Sequence, residues 1–283
     1  MKTIREIVAS ASDRLRAAGI SASANLDARL LAQHVLSWDT ARLLARAGEA
    51  APADFEAAYE PLVARRATRE PLAYITGHRE FFGLEFEVTP DVLIPRPETE
   101  LVVEAVLSSM PTSQLFTMID ACTGCGNVAV AVAKERVNAR VVATDVSVAA
   151  LDVARRNAVL HGVEGRVTFV EADLFGDVRG PVDVITANPP YVPARSAAGL
   201  QPEVGDHEPH VALFGGDDGL DIVKRVVDEA PPLLRPGGLL FFEFGFGQEI
   251  DVEKLLRDCP SVAFIELKRD LQGIARTAVA RRI

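Results

Sequence analysis

From about residue 115 onward the chain alternates between two apolar patterns, and this alternation constrains its fold more than any other feature. Short apolar runs bounded by turn residues read as buried strands at 115–119, 140–144, 167–171, 182–187, 239–244, 262–267 and 274–280. Stretches with apolar residues three and four apart read as helices at 127–135, 148–160, 220–234 and 249–258. Strands that take turns with helices predict an α/β fold, in which a parallel sheet is covered by helices on both faces.

The first 70 or so residues lack that alternation and look wholly helical. Ile4, Ile7, Val8, Ala11 and Leu15 make one apolar stripe, with Gly19 as its stop. Leu26, Leu30, Leu31, His34 and Val35 make a second, ending near Trp38. A third helix is expected over 53–69, with Phe55, Ala58, Tyr59 and Leu62 facing inward and Arg65, Arg66 and Arg69 at its end. Those arginines suit a solvated helix C-terminus, or a contact surface for an acidic partner or RNA. Residues 79–88 predict a hairpin turning at Gly83, and Pro97 suits the first turn of a helix running to about Ser109. The expected organisation is a helical domain over 1–76, a hairpin and linker over 77–96, and the α/β domain over 97–283.

A chain of 283 residues has room for one large domain and one small one. Its start lacks the apolar core of a signal peptide, no run is long enough to span a bilayer, and three cysteines make no disulfide framework. A cytoplasmic location is expected. Residues 1–90 carry 11 basic and 12 acidic side chains, against 19 and 28 in the rest. Duplex nucleic acid usually requires a basic surface, so the acidic α/β part argues against that partner.

Two segments of the α/β part carry chemistry. The strand at 182–187 runs into Asn188-Pro189-Pro190-Tyr191. Prolines cannot donate to a sheet ladder, so they stop the strand and fix its exit path. Asn188 is thereby held at a carboxyl end, where open α/β sheets place their ligands. A carboxamide there can accept and donate at once, which suits gripping a planar amino group during its attack.

The second segment, Asp120-Ala121-Cys122-Thr123-Gly124-Cys125-Gly126, joins the first strand to its helix. Its glycines let backbone approach a ligand. Asp145 ends the next strand, where an acid commonly binds ribose hydroxyls, and Val146 follows it. Asp173 ends the third, beside Leu174 and Phe175, which could cover an adenine ring. Three acids at strand ends would repel a pyrophosphate, so a phosphate-free nucleoside cofactor fits better than a dinucleotide. Cys122 and Cys125 also have the spacing of a redox or metal pair. A zinc site would need further ligands, so they read as small packing residues, and no metal site is expected.

Together with Pro71–Gly77, Phe81-Phe82-Gly83, the run from Leu93 to Glu100, Glu208-Pro209, Gly215–Leu220 and Asp270–Gly273, these segments resemble the bacterial release-factor glutamine N5-methyltransferases (the HemK type) over nearly the whole length. Asn-Pro-Pro-Tyr alone is shared with methyltransferases acting on adenine or guanine amino groups. The Ile94–Glu100 run is much more specific. A sister family that methylates a ribosomal-protein glutamine is similar. One residue departs from the pattern: Cys122 stands where the family's loop usually has its first glycine.

The resemblance implies a Rossmann-like S-adenosylmethionine-dependent methyltransferase sheet with a small N-terminal helical domain. It implies S-adenosyl-L-methionine as cofactor and S-adenosyl-L-homocysteine as product. The acceptor would be the side-chain N5 of the glutamine in the Gly-Gly-Gln motif of class I release factors. The alternatives are a ribosomal-protein glutamine or the amino group of a nucleic-acid base. The catalytic group would be Asn188, Pro189, Pro190 and Tyr191. Asp120 to Gly126, Asp145, Val146, Asp173, Leu174 and Asn188 would hold the cofactor. Arg96, Pro97, Glu98 and Thr99 would meet the substrate with the catalytic four. A monomer with a release factor as partner, no membrane and no direct nucleic-acid contact is expected.

Overall fold

A computed structural model describes residues 2–283. Met1, inside the helical domain expected over 1–76, lies outside the described residues. The chain forms two units, one of Met1–Gly77 with Gln201–His207 and one of His78–Leu200 with Glu208–Ile283. The hairpin expected in a linker therefore belongs to the larger unit.

The smaller unit contains α1 (Ile4–Ala17), α2 (Ala24–Leu36), α3 (Thr40–Arg46), α4 (Phe55–Ala67) and α5 (Leu72–Thr76). Thr3 and Glu6 form a capping box that starts α1, satisfying two otherwise free backbone N–H groups. Ile4, Ile7, Leu15, Leu31, Phe55, Tyr59 and Val63 close its core. The short helix α3 escaped the sequence reading because only Leu43 of its seven residues is buried.

Arg66 and Arg69 do not form a solvated surface. Arg66 is buried, donating from Nε to Asp27 at 2.8 Å and from Nη2 to Glu203 at 2.9 Å, while Arg69 reaches the other Glu203 oxygen at 2.5 Å. Glu203 comes from the returning segment, in a one-turn helix α9 (Pro202–Gly205). These arginines therefore bind a distant part of their own chain. Only Arg65 keeps the exposed character expected of it, paired with Glu70.

The larger unit opens with β1 (His78–Phe81) and β2 (Leu84–Glu87), an antiparallel pair. A 3-10 turn at Pro97–Thr99 leads into α6 (Glu100–Ser109). Then follow β3 (Phe116–Ala121), α7 (Asn127–Glu135), β4 (Ala139–Asp145), α8 (Val148–Leu160), β5 (Val167–Glu171) and β6 (Val182–Ala187). After the excursion to α9 come α10 (Asp221–Glu229), β7 (Leu234–Glu243), α11 (Glu249–Asp258), β8 (Val262–Arg269) and β9 (Ala275–Arg282).

The sheet order is β5-β4-β3-β6-β7-β9-β8. Strands β5 to β7 are parallel, and the last two pair antiparallel. A short turn joins β8 to β9, too few residues for the crossover that parallel pairing needs. The helix expected over 220–234 stops at Glu229, because Pro231 and Pro232 cannot extend its ladder. From Leu234 the chain is already strand, pairing with Val182 across a bulge.

Order reverses at β3, flanked by β4 on one side and β6 on the other. Carboxyl ends at such a switch point leave a crevice for ligands. In register, Ala121 lies beside Ala187, so the loop after β3 and Asn188 after β6 leave the sheet side by side.

Candidate active site

The crevice at the switch point holds a cavity of about 260 Å³. Cys122, Thr123, Gly124 and Cys125 from the loop after β3 line it, with Asp120 beneath. Asp145, Val146, Asp173, Leu174, Asn188, Pro190 and Arg96 complete the predicted residues found there. Ala121 and Gly126 do not line it. Ala121 is in the sheet core, and a Cβ on Gly126, at φ +81°, would stand 3.0 Å from the Ala154 Cβ. That glycine serves the close approach of α7 to α8.

The three acids differ in kind. Asp120 is buried within β3, accepting from Thr186 Oγ1 at 2.7 Å and Thr123 Oγ1 at 2.6 Å. Burial pushes its carboxyl up to about 6, against the lowering effect of those hydroxyls. Its bonds shape the loop from below. Asp145 accepts from the Gly124 N–H at 2.9 Å and the Ser147 N–H at 3.0 Å. A carboxylate has about four acceptor positions, so Asp145 keeps capacity for a ribose hydroxyl. Burial raises its pKa too. Asp173 lies beyond the end of β5, exposed, and is held by Arg225 at 2.9 Å.

Cys122 has φ +57° and Leu174 φ +52°, conformations that favour glycine. The first is the position where the family's loop usually has its first glycine, which such a φ suits. Burial, with the charges of Asp145, Asp120 and Asp173, pushes the Cys122 thiol well up. Burial also lifts Cys125, to about 12. Both thiols are thereby held in their protonated, less nucleophilic form, which does not favour a redox role. Phe175 is packed in the core rather than in the cavity wall, and the aromatic present there is Phe214.

At the other end, Asn188 donates from Nδ2 to Thr99 Oγ1 at 3.3 Å. Thr99 Oγ1 donates to Glu243 Oε2 at 2.6 Å, and Tyr191 OH donates to Glu243 Oε1 at 2.8 Å. Thr99 is 1% exposed, so it is buried beneath Asn188 rather than open to the substrate contact expected of it. Pro97 is exposed and Glu98 half-buried. Pro189 is buried, and Tyr191 lines a neighbouring cavity. Arg96 donates to Glu208 at 2.5 Å, and the same carboxylate accepts from the Ile94 N–H at 3.3 Å.

Four supporting residues had no expected site role, although Glu208 stands in a segment that carries the family resemblance. Glu243 ends β7, Glu208 anchors the 94–96 segment, and Gln248 donates to the Tyr191 carbonyl at 3.1 Å. Asn157 on α8 donates to the carbonyls of Cys125 and Glu87 at 2.9 and 3.0 Å, tying loop and hairpin together. For Glu243 a signal existed: an acid closing the apolar run Leu239-Leu240-Phe241-Phe242.

These residues fit a nucleoside cofactor without phosphate. Asp145 keeps acceptor capacity for a ribose hydroxyl. The space where a Gly124 Cβ would sit is empty to 4 Å. Apolar Val128, Leu174 and Phe214 wall the cavity.

Comparison with known proteins gives the same direction. Residues 6–77 match the family described as PrmC N-terminal domain, and residues 99–200 match the methyltransferase small domain. A release factor glutamine methyltransferase of Burkholderia pseudomallei is 43% identical over 287 residues, covering 99% of each chain. One of Moorella thermoacetica is 41% identical, again over 99% of each. A solved methyltransferase of Pyrococcus furiosus has the same fold, with a TM-score of 0.53 at 19% identity, covering 77% of this chain and 98% of that one.

Proposed function

The chain belongs to the release factor glutamine methyltransferase family, and we propose that it transfers a methyl group from S-adenosylmethionine to N5 of the glutamine in the Gly-Gly-Gln motif of class I release factors. One observation carries this reading beyond family membership. The Asn188 carboxamide lines the same cavity as Asp145 and the glycine loop. It can therefore meet an acceptor group beside a bound nucleoside.

S-adenosylmethionine, when bound, supplies an already activated methyl on a sulfonium. Asp145 would hold the ribose hydroxyls, Gly124 would admit the close approach, and Leu174 and Phe214 would enclose the base. An amide nitrogen is a poor nucleophile, since its lone pair is shared with the carbonyl. Asn188 Oδ1 and the Pro189 carbonyl would accept its two N–H bonds. Such bonds aim the nitrogen, favour its pyramidal form and stabilise positive charge developing on it. The Tyr191 ring would form a wall whose face favours the cationic centre. Positioning then supplies much of the rate. Arg96, Pro97 and Glu98 would meet the release factor. The enzyme would act in the cytoplasm as a monomer, without nucleic acid or membrane. No described helix is long and apolar enough to cross a membrane.

Purified protein, S-adenosylmethionine and recombinant release factor should yield one added methyl, mapped by fragmentation mass spectrometry to the Gly-Gly-Gln glutamine. Label in RNA or DNA with none in the release factor would overturn the reading. Asn188→Ala should bind S-adenosylhomocysteine nearly normally in calorimetry yet lose on the order of 100-fold or more in kcat.

A further inference from the structure

We propose that Thr99 and Glu243 are positioning residues, which fix the Asn188 carboxamide with its oxygen facing the cavity. The proposal rests on the reading that Asn188 grips the amide to be methylated.

A carboxamide can turn over about its last bond at almost no steric cost, exchanging a donor for an acceptor. In the wrong orientation Asn188 would point –NH2 at the substrate –NH2, and two donors cannot bond. The orientation must therefore be set by whatever lies on the far side. There, Nδ2 donates to Thr99 Oγ1. A hydroxyl can accept in that way while spending its own proton elsewhere. Thr99 spends it on Glu243 Oε2, at 2.6 Å. The other Glu243 oxygen accepts from Tyr191 OH, so both partners of this carboxylate are hydroxyl donors.

An ionised carboxylate only accepts. Both hydroxyl protons point at Glu243, and the lone pair left on Thr99 can take only a donor. The direction of every bond follows: Asn188 to Thr99, Thr99 to Glu243, Tyr191 to Glu243. Thr99 and Glu243 are each 1% exposed, so bulk water does not compete for these bonds. The elements that supply them are far apart in sequence: the turn before α6, the end of β6 and the end of β7. Only the folded sheet assembles the relay.

The test uses the full chain with release factor. Thr99→Val removes the hydroxyl at nearly constant volume. It should lower kcat on the order of 10- to 100-fold. Its S-adenosylhomocysteine affinity should stay close to the parent, while its thermal midpoint falls because buried Glu243 loses one of its two donors. Thr99→Ser, which keeps the hydroxyl, should recover most of that loss. Glu243→Gln leaves one acceptor oxygen for two hydroxyl donors, and it too should reduce kcat more than it raises KM.

If Thr99→Val and Glu243→Gln keep kcat within about twofold of the parent while Asn188→Ala is inactive, the relay is wrong and the amide grip stands. Thr99→Ser as impaired as Thr99→Val would also overturn it. If Asn188→Ala itself turns over fully, the amide grip fails, and the relay falls with it because nothing is left to position.

Discussion

Glu203 in the helical unit and Glu243 in the sheet unit are both carboxylates with two side-chain partners, but the partners differ. Glu203 meets two guanidinium groups, Arg66 and Arg69. Burial alone would raise its pKa, yet its own backbone N–H, Arg69 and Arg66 outweigh burial and hold it low. Glu243 meets two hydroxyls, and burial outweighs them, so its pKa is raised. Asp120 repeats the second arrangement with Thr123 and Thr186. The helical unit compensates its buried charge and so secures a tertiary connection. The sheet unit leaves Glu243 and Asp120 with hydroxyl donors and no hydrogen-bonded cation, at a cost in stability, and gains acceptors of defined direction around the site; Glu208, paired with Arg96, is its exception.

The sharpest way to break this contrast is to remove a cation from the first arrangement. Arg66→Met leaves Asp27 buried without its charge partner and Glu203 with one arginine in place of two. Breaking a buried pair on one side costs about 3–5 kcal/mol. Trp38, the single tryptophan, packs against the core of the helical unit. Its fluorescence in a urea titration should therefore move to a clearly lower midpoint. A shift smaller than that of an exposed pair such as Lys2–Glu56 would mean the cluster contributes nothing to the fold. Glu243→Gln should differ in kind, costing rate more than stability, because it removes a buried charge that has no cation partner in hydrogen-bond contact while leaving one hydroxyl donor unpaired.

A second prediction concerns pH, with an effect of similar or slightly smaller size. The folded pKa of Asp120 is pushed up to about 6 from an ordinary 3.8. Between those values the folded state binds more protons than the unfolded state, so stability rises as pH falls from 6 towards 4. Two pH units correspond to about 3 kcal/mol as an upper bound for one site. Asp145, Glu208 and Glu243 are shifted in the same direction and add to it. Glu203 in the helical unit has the opposite sign and loses its contribution on acidification. Denaturation of the parent and of Asp120→Asn at pH 7 and pH 5, followed by circular dichroism, should show the parent gaining more on acidification than the variant. Equal pH responses would remove Asp120 from the account.

How much of this contrast was legible beforehand depended on the range of the interactions. Val148–Leu160, Val167–Glu171, Val182–Ala187 and Glu249–Asp258 match the expected bounds. Their apolar period and their turn residues are local facts. The start of β7 was not legible, because Leu234 becomes strand by pairing with Val182, about fifty positions earlier. The arginine cluster was misread for the same reason, since Glu203 lies more than 130 residues from Arg66 and Arg69. Within the site, Asn188, Asp145 and the glycine loop announced themselves as polar or flexible residues at strand ends. Thr99 and Glu243 meet across 144 positions, so a local pattern could mark Glu243 as an acid closing an apolar run but could not expose its pairing with Thr99.

The smallest expected effect concerns backbone strain, which the two units also place differently. In the helical unit the positive φ of Ser37 caps α2, a common resting place for that conformation. In the sheet unit Cys122 and Leu174 carry positive φ in the cavity wall itself. A side chain in the left-handed region costs roughly 1–2 kcal/mol, and glycine escapes that cost while gaining some unfolded-state entropy. Comparing Cys122→Ala with Cys122→Gly separates the two contributions, because both lose the sulfur and only alanine keeps the Cβ. The glycine variant should be the more stable by about 0.5–1 kcal/mol in thermal melts, although it buries less apolar surface. It should also bind S-adenosylhomocysteine at least as well as the alanine variant, since the wall then has no Cβ to hold in a strained position. An alanine variant as stable as the glycine one would mean that this loop holds its positive φ at Cys122 without cost.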